Sequence, residues 1–530
     1  MKNFLTTVAA VFLTASLSHA VLEIPNAQPK MDAGYWKPVL DKTWEGLKKR
    51  NIEPYRGKPG SGLIHRPKSE YPGDAVSEAV GYGMLVALYA DDQKTFNEIL
   101  DQGYKDLWKG CYLDWHLFPD GHYEEYGGAA SDAEEDVAIS LIFASELVKA
   151  GKWQPYSGAV GDYATHAKKI LDCMWSTKQI TSRGTLAPGA GWGGDDFVNV
   201  GYFSPAWYKV FADFDTNHDW NKVVDRSYEI IGNSPGYALG MVPDWMTPEG
   251  NPTGSLGYNA YFDAKAFYKD AIRILWRVAL DAIWFDETRA KTFLQNSLTF
   301  IKGKGGASAA NFFQMDGNLL PEGDVWKDMM GGTITRHRRE HSPLTIGMWM
   351  TAAAAVGTTE DRAAFSVEMN KFYDKDADYF GLATDPSGLD EDTLHNEMYF
   401  EQFLAWFGTS LMTGVMNNVA ENLKTPKADV AGDSSDLMKP AVVPEDSSGK
   451  DPEAVHYAVV AKTVQMETLQ NGVMFSANQP ALWSVFDLRG DRLLSAGGAS
   501  MKFVSRTKGV YVVRAQFADG SSLVRRVRLN

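Results

Sequence analysis

The stretch Ala75-Val76-Ser77-Glu78-Ala79-Val80-Gly81-Tyr82-Gly83-Met84-Leu85-Val86-Ala87-Leu88 sets one carboxylate, Glu78, at the mouth of an apolar helical run. Val80, Met84 and Leu88 share one face of that helix. An acid at the start of a helix beside Tyr82 is partly desolvated and able to hold a proton near neutral pH, while the positive helix end opposes this. Glu78 is therefore a candidate catalytic acid, although first-turn acids are also common on surfaces.

Outward from this stretch the pattern stays helical. The spacing of apolar residues predicts helices over 76–90, 93–108, 132–150, 161–176, 204–214, 264–284, 287–302, 343–356, 361–373 and 396–415. An earlier one over 31–50 carries the stripe Trp36, Val39, Leu40, Thr43, Trp44 and Leu47. Long Gly- and Pro-containing loops join them, so the main domain is expected to be all-α. Helices of similar length suit a closed ring or a stack of helix pairs, and periodicity does not choose between the two.

The 530 residues, 44% of them hydrophobic, suffice for one large core and a second, smaller domain. Residues 1–20 read as a secretory signal cleaved after Ala20, so the mature protein is expected to be secreted or attached to the cell surface. No later run is apolar enough over a bilayer's thickness, the stretch 348–356 being too short. Cys111 and Cys173 either pair or remain two thiols, and their spacing does not decide. A net charge of −15 argues against nucleic acid and anionic membranes as partners. A neutral polymer suits such a body better. The 16 Trp, 23 Tyr and 26 Phe include more flat faces than stacking on sugars needs, and most must be core.

Residues 424–456 lack aromatics and are rich in Pro, Asp, Ser, Lys and Gly, which marks a linker between a domain at 21–423 and a module at 457–530. In that module, residues 473–475, 482–486 and 510–514 are short β-type runs, expected to build a small β-sandwich. Residues 481–530 carry nine Arg and Lys against three Asp, a basic contrast to the main body.

Three more stretches join Glu78. A helix starts near Ser131, where Ser131 and Glu134 read as a capping box and Asp132, in the first turn, is favoured as an ionised carboxylate. Ser204 and Pro205 open another helix with Tyr202 in the loop before it, placed either to orient a water or to pack at a rim. Asp270 and Arg273 are three apart and can pair, as many surface salt bridges do.

In this order the stretches resemble glycoside hydrolase family 8 over residues 35–419. The family's Ser-Glu-Gly-x-x-Tyr-Gly-Met pattern is matched at 77–84 with Ala79 for Gly, and its Ala-Ser/Thr-Asp-Ala-Asp-x-Asp-Ile-Ala pattern at 130–138 with Glu134 and Val137 as departures. Tyr-Phe-x-Pro-Ala is intact at 202–206. The resemblance implies an (α/α)6 toroid with an extended cleft, and hydrolysis with inversion at the anomeric carbon. It assigns Glu78 as general acid, Asp270 as general base and Asp132 as the carboxylate that binds and distorts the sugar. Arg273 would orient these carboxylates, Tyr202 hold the attacking water, and Trp115, with Tyr82, bind substrate. Lys269 and Leu275 stand where the family usually has Tyr and Pro. Asp263 is a nearby decoy without the following Arg and Trp-Arg.

Inversion needs a protonated carboxyl beside the leaving oxygen and an ionised one behind the sugar, about 6.5–9.5 Å apart. No cofactor is expected, since His337 and His341 lack a convincing set of metal ligands. The C-terminal module resembles sorting domains of type IX secretion in its 485–490 and 509–511 pieces, which implies the secretion machinery as a partner. A carbohydrate-binding module using Trp483 is the rival reading. The leading expectation is an endo-β-1,4-glucanase acting on plant polysaccharide. Xylanase, lichenase and chitosanase are alternatives within the family, and a non-catalytic polysaccharide-binding protein is the alternative outside it.

Overall fold

The computed structural model describes residues 21–23, 29–67, 69, 71–124, 127–158, 161–253, 265–320, 325–327, 333–335, 342–381, 399–424, 464–469, 472–486, 492–503, 509–517 and 522–529. The secretory signal, most of the linker, Asp263, His337 and His341 lie outside the described residues. The helices are α1 (Ala33–Asn51), α2 (Ser77–Tyr89), α3 (Gln93–Asp106), α4 (Ser131–Lys149), α5 (Tyr163–Ser176), α6 (Pro205–Phe214), α7 (Trp220–Gly232), α8 (Ile274–Trp284), α9 (Thr288–Gly303), α10 (Pro343–Val356), α11 (Thr359–Lys371), α12 (Phe400–Met412) and α13 (Val419–Lys424).

The even-numbered helices α2 to α12 each touch the next, and α12 returns to α2, so they close a ring. Against them from outside pack α3 on α2, α5 on α4, α7 on α6, α9 on α8, α11 on α10 and α1 on α12. This helical toroid is the closed ring, not the open stack. Sequence explains the layering: every residue of α2 except Glu78 is buried, and α4 is buried from Ser131 through Ser145, as befits helices enclosed on all sides. Outer helices have one apolar stripe, as on α7, where Val223, Val224, Ser227, Tyr228, Ile230 and Ile231 are buried. At one inner crossing the backbones nearly touch. A Cβ on Gly408 would lie 2.2 Å from the Gly347 carbonyl oxygen, so α10 and α12 pack with no side chain between them there.

Three expectations change. The helix predicted over 264–284 begins only at Ile274, after a 3-10 turn Ala271–Arg273, because Phe267 pairs with Phe313 and Tyr268 bonds Asp244 instead of continuing a helix. Helix α7 escapes the reading although its stripe is regular. Ser131 and Glu134 form no capping box: Ala130 is the N-cap, and Glu134 Oε1 accepts the Leu113 N–H at 2.8 Å. Cys111 and Cys173 form a disulfide with their Cα atoms 5.2 Å apart, tying the loop after α3 to α5.

The C-terminal strands Val464–Leu469, Gly472–Phe486, Arg492–Phe503, Gly509–Phe517 and Ser522–Leu529 make one antiparallel sheet. The long second strand pairs with the first near its start and with the fourth near its end, and its register with the third breaks between Ser476 and Ala481. Where two packed sheets were expected, the described strands thus form one hydrogen-bonded sheet, with a core of Phe475, Trp483, Val485, Met501, Phe503, Tyr511, Val513 and Ala515. Trp483 is fully buried there, which removes it as a stacking platform. Among the described residues no helix is long and apolar enough to cross a membrane.

Candidate active site

A short strand, Asp74–Val76, runs into α2, and the Ser77 N–H bonds the Trp115 carbonyl at 2.9 Å, so Trp115 lies against the helix start. With the rest of α2 buried, Glu78 is the one residue of this helix that keeps some exposure. Asp132 arrives from the start of α4, and Arg273 from the turn that leads into α8.

Arg273 gathers the carboxylates. Its Nη1 donates to Glu78 Oε2 at 2.6 Å and to Asp132 Oδ2 at 2.9 Å, while Nη2 donates to Asp270 Oδ1 at 3.1 Å. The Tyr202 ring lies under the guanidinium, 4.9 Å from Cζ. Tyr82 is fully buried between Phe403 and Phe407 with its hydroxyl 3.4 Å from Arg273 Nη1. Its contact in the site is with the arginine, and its ring is closed off from solvent. Trp115 is half-buried and stacks on His116 at 4.7 Å. A fixed guanidinium shared by three acids is far from an isolated surface pair, because each acid sits at a defined angle to one plane.

Burial sets the electrostatics. The Glu78 side chain is 19% exposed, and desolvation lifts its carboxyl above the usual range against the pull of Arg273 and Tyr399, so burial wins over the helix end. Asp132 is more enclosed, and burial lifts it to about 8. The argument from the helix end for an ionised Asp132 therefore gives way to desolvation. Asp270 is the open one of the three, with a side chain 37% exposed.

Several neighbours carry no sequence signal of their own. The Tyr399 hydroxyl donates to Glu78 Oε1 at 2.8 Å, and Asn199 Nδ2 donates to Asp270 Oδ2 at 3.0 Å. A Cβ on Gly201 would lie 2.0 Å from the Asp270 carbonyl oxygen, so only glycine lets the turn before α6 approach Asp270 so closely. Behind the site Arg277 Nη2 donates to Asp136 Oδ2 at 2.8 Å and Nη1 to Ser204 Oγ at 2.7 Å, joining α8, α4 and the start of α6. Asn199 lies three residues before Tyr202, and that nearness was the available clue. Among the described residues, Asp172, Asp215 and His218 could together face a cation, but Lys168 Nζ already sits 2.9 and 3.1 Å from the two carboxylates.

The profile of the glycosyl hydrolases family 8 matches residues 35–305, just over half of the chain. The chain belongs to this family. It is 34% identical to Endoglucanase 2 of Ruminiclostridium josui over 284 residues, covering 53% of this chain and 58% of that protein. It is 31% identical to Endoglucanase A of Acetivibrio thermocellus over 287 residues, 53% of this chain and 57% of that protein. The chain thus spans under three fifths of these relatives. Its fold is similar to the structure of Rex8A from Paenibacillus barcinonensis complexed with xylose, with a TM-score of 0.55 and 20% identity over 73% of this chain and 94% of that one. At that identity the likeness speaks for the fold.

Proposed function

We propose that this chain is an inverting endo-β-1,4-glucanase, exported from the cell, and that Glu78 and Asp270 are its acid and base. The observation that carries this reading is the single guanidinium of Arg273 shared by Glu78, Asp132 and Asp270. Glu78, whose carboxyl burial shifts upward, gives its proton to the leaving glycosidic oxygen. Asp270, the more open carboxylate, draws a proton from a water that attacks the opposite face of the sugar, with Tyr202 beside it. Asp132 binds the sugar at the cleavage point, and Trp115 offers a face to a neighbouring unit. The chemistry calls for no metal or cofactor. The similarity to proteins named endoglucanases favours cellulose-type glucan.

Reducing-end release should be measured on soluble cellulose derivative, mixed-linkage glucan, xylan and chitosan in parallel, with NMR of the first anomer formed. Activity on the glucans with inversion is expected, and Glu78→Gln and Asp270→Asn should each lower kcat by about 10²–10⁴-fold. Silence on all four would leave a polysaccharide-binding protein. Reducing-end xylose-releasing exo-oligoxylanases are also among the relatives, one of them 29% identical, so release of xylose from xylo-oligosaccharides is the second reading. Xylose released from xylo-oligosaccharides, added to the panel, with little action on the polymers would select it.

For the rest of the chain we infer a signal at 1–20, a catalytic domain at 21–423, a linker at 424–456 and a module at 457–530 that engages type IX secretion machinery. The burial of Trp483 supports sorting over sugar binding. A mature N-terminus at Val21, and retention of a variant lacking 457–530 inside the cell, are the expected results.

A further inference from the structure

Asp270 stands at the N-cap of the turn Ala271–Arg273, where an aspartate ordinarily turns its carboxylate back to accept the orphan amides of the helix it opens. It makes no such bond. Its two oxygens accept from Arg273 Nη2 and Asn199 Nδ2 instead. The first amide of the turn is taken by another acid. Asp244 Oδ1 accepts the Ala271 N–H at 2.7 Å and the Tyr268 N–H at 3.2 Å, while the Asp244 N–H donates to the Ala266 carbonyl at 2.9 Å. Asp244 is therefore stapled to the backbone on both sides of Asp270.

We propose that Asp244 is the positioning residue of the general base: it holds the backbone on both sides of Asp270 and so fixes where the Asp270 carboxylate stands in the cleft. This rests on the reading of Asp270 as base. Asp244 is 5% exposed and reaches no substrate. It precedes the strand Trp245–Met246, which pairs with Val198–Asn199 in the register Asn199 to Trp245. One two-stranded piece thus carries both the residue that holds the backbone of the base and the residue that holds its carboxylate. Burial, reinforced by Asp270 close by, raises the Asp244 carboxyl well above its usual range. Its acceptor oxygen is what holds the two amides.

The test is a set of variants of the full chain, assayed on cello-oligosaccharides and on an activated aryl cellobioside. Asp244→Asn keeps an acceptor and should retain kcat within about threefold. Asp244→Ala should lose about 100-fold or more in kcat with KM nearly unchanged. That loss should persist on the aryl substrate, whose good leaving group relieves the need for an acid but not for a base. In an Asp270→Asn background, Asp244→Ala should cost nothing further, whereas a merely structural role would lower the rate in either background. Asp244→Ser replaces the alanine variant in every arm if the latter does not fold. Loss of activity in Asp244→Asn, or full activity in a folded Asp244→Ala, overturns the proposal. If Asp270→Asn itself keeps its rate, the base assignment falls and takes the proposal with it. If Asp270→Asn is inactive while Asp244→Ala is not, only the role of Asp244 falls.

Discussion

Glu78 has both oxygens engaged, Oε2 by Arg273 and Oε1 by Tyr399, so a proton it carries shares Oε1 with the tyrosine hydroxyl. Tyr399 donates to the ionised form and so holds the acid's pKa below what burial alone would give. In Tyr399→Phe that donor is gone, the pKa of Glu78 rises, and the alkaline limb of kcat/KM should move to higher pH; an unmoved limb would show that the hydroxyl does not tune the acid. Glu134 offers a second pH prediction away from catalysis. Burial lifts it from 4.5 to about 8, so the folded chain holds a proton that the unfolded chain releases between those values. Stability is full below about 4.5 and declines as pH rises towards about 8. Glu134→Gln keeps an acceptor for the Leu113 N–H without titrating, so its melting temperature relative to the parent should climb between pH 5 and pH 8. Parallel melts at the two pH values check this.

Among the elements, the inner ring is sealed by close crossings as well as by side chains. The approach of α10 to α12 at Gly347 and Gly408 has no space for a methyl group: a Cβ on Gly347 would sit 2.6 Å from the Leu404 carbonyl oxygen, and that on Gly408 closer still to Gly347. Gly408→Ala must push the two helices apart, at a cost of about 1–3 kcal/mol. Urea unfolding should register that loss. Because α12 follows Tyr399 directly, the same shift should weaken catalysis, and a variant with unchanged stability would deny the tightness of the crossing. The turn before α8 shows why element boundaries were the weakest part of the reading. Residues 265–270 have an apolar pattern compatible with a helix, yet their amides go to Asp244 and Phe313, partners from distant segments.

For the whole molecule, the helical body and the C-terminal sheet hold separate hydrophobic cores. A fragment of residues 21–424 is therefore expected to melt cooperatively and to keep its molar activity on soluble glucan. A fragment that aggregates or loses its activity would mean that the sheet stabilises the catalytic body. The net charge of −15 belongs mostly to that body, whereas the last fifty residues are basic, so removing the module should also lower the isoelectric point.

The sequence by itself determined the helical class, the order of the four site stretches, the β-type C-terminal module and the acids worth suspecting, because patterning and turn chemistry act over a few neighbouring residues. It left open ring or stack, the state of the two cysteines and the direction in which the Glu78 carboxyl is shifted. Those were decided by tertiary structure, since desolvation and hydrogen bonding depend on groups far apart in the chain: Arg273 lies 195 residues from Glu78, and Tyr399 lies 321 residues from it. The same distance hid Asp244, Asn199 and Tyr399 from any local pattern. It also overturned the capping box at Ser131, where a local rule gave way to the Leu113 amide, and the ionised Asp132, where burial outweighed the helix end.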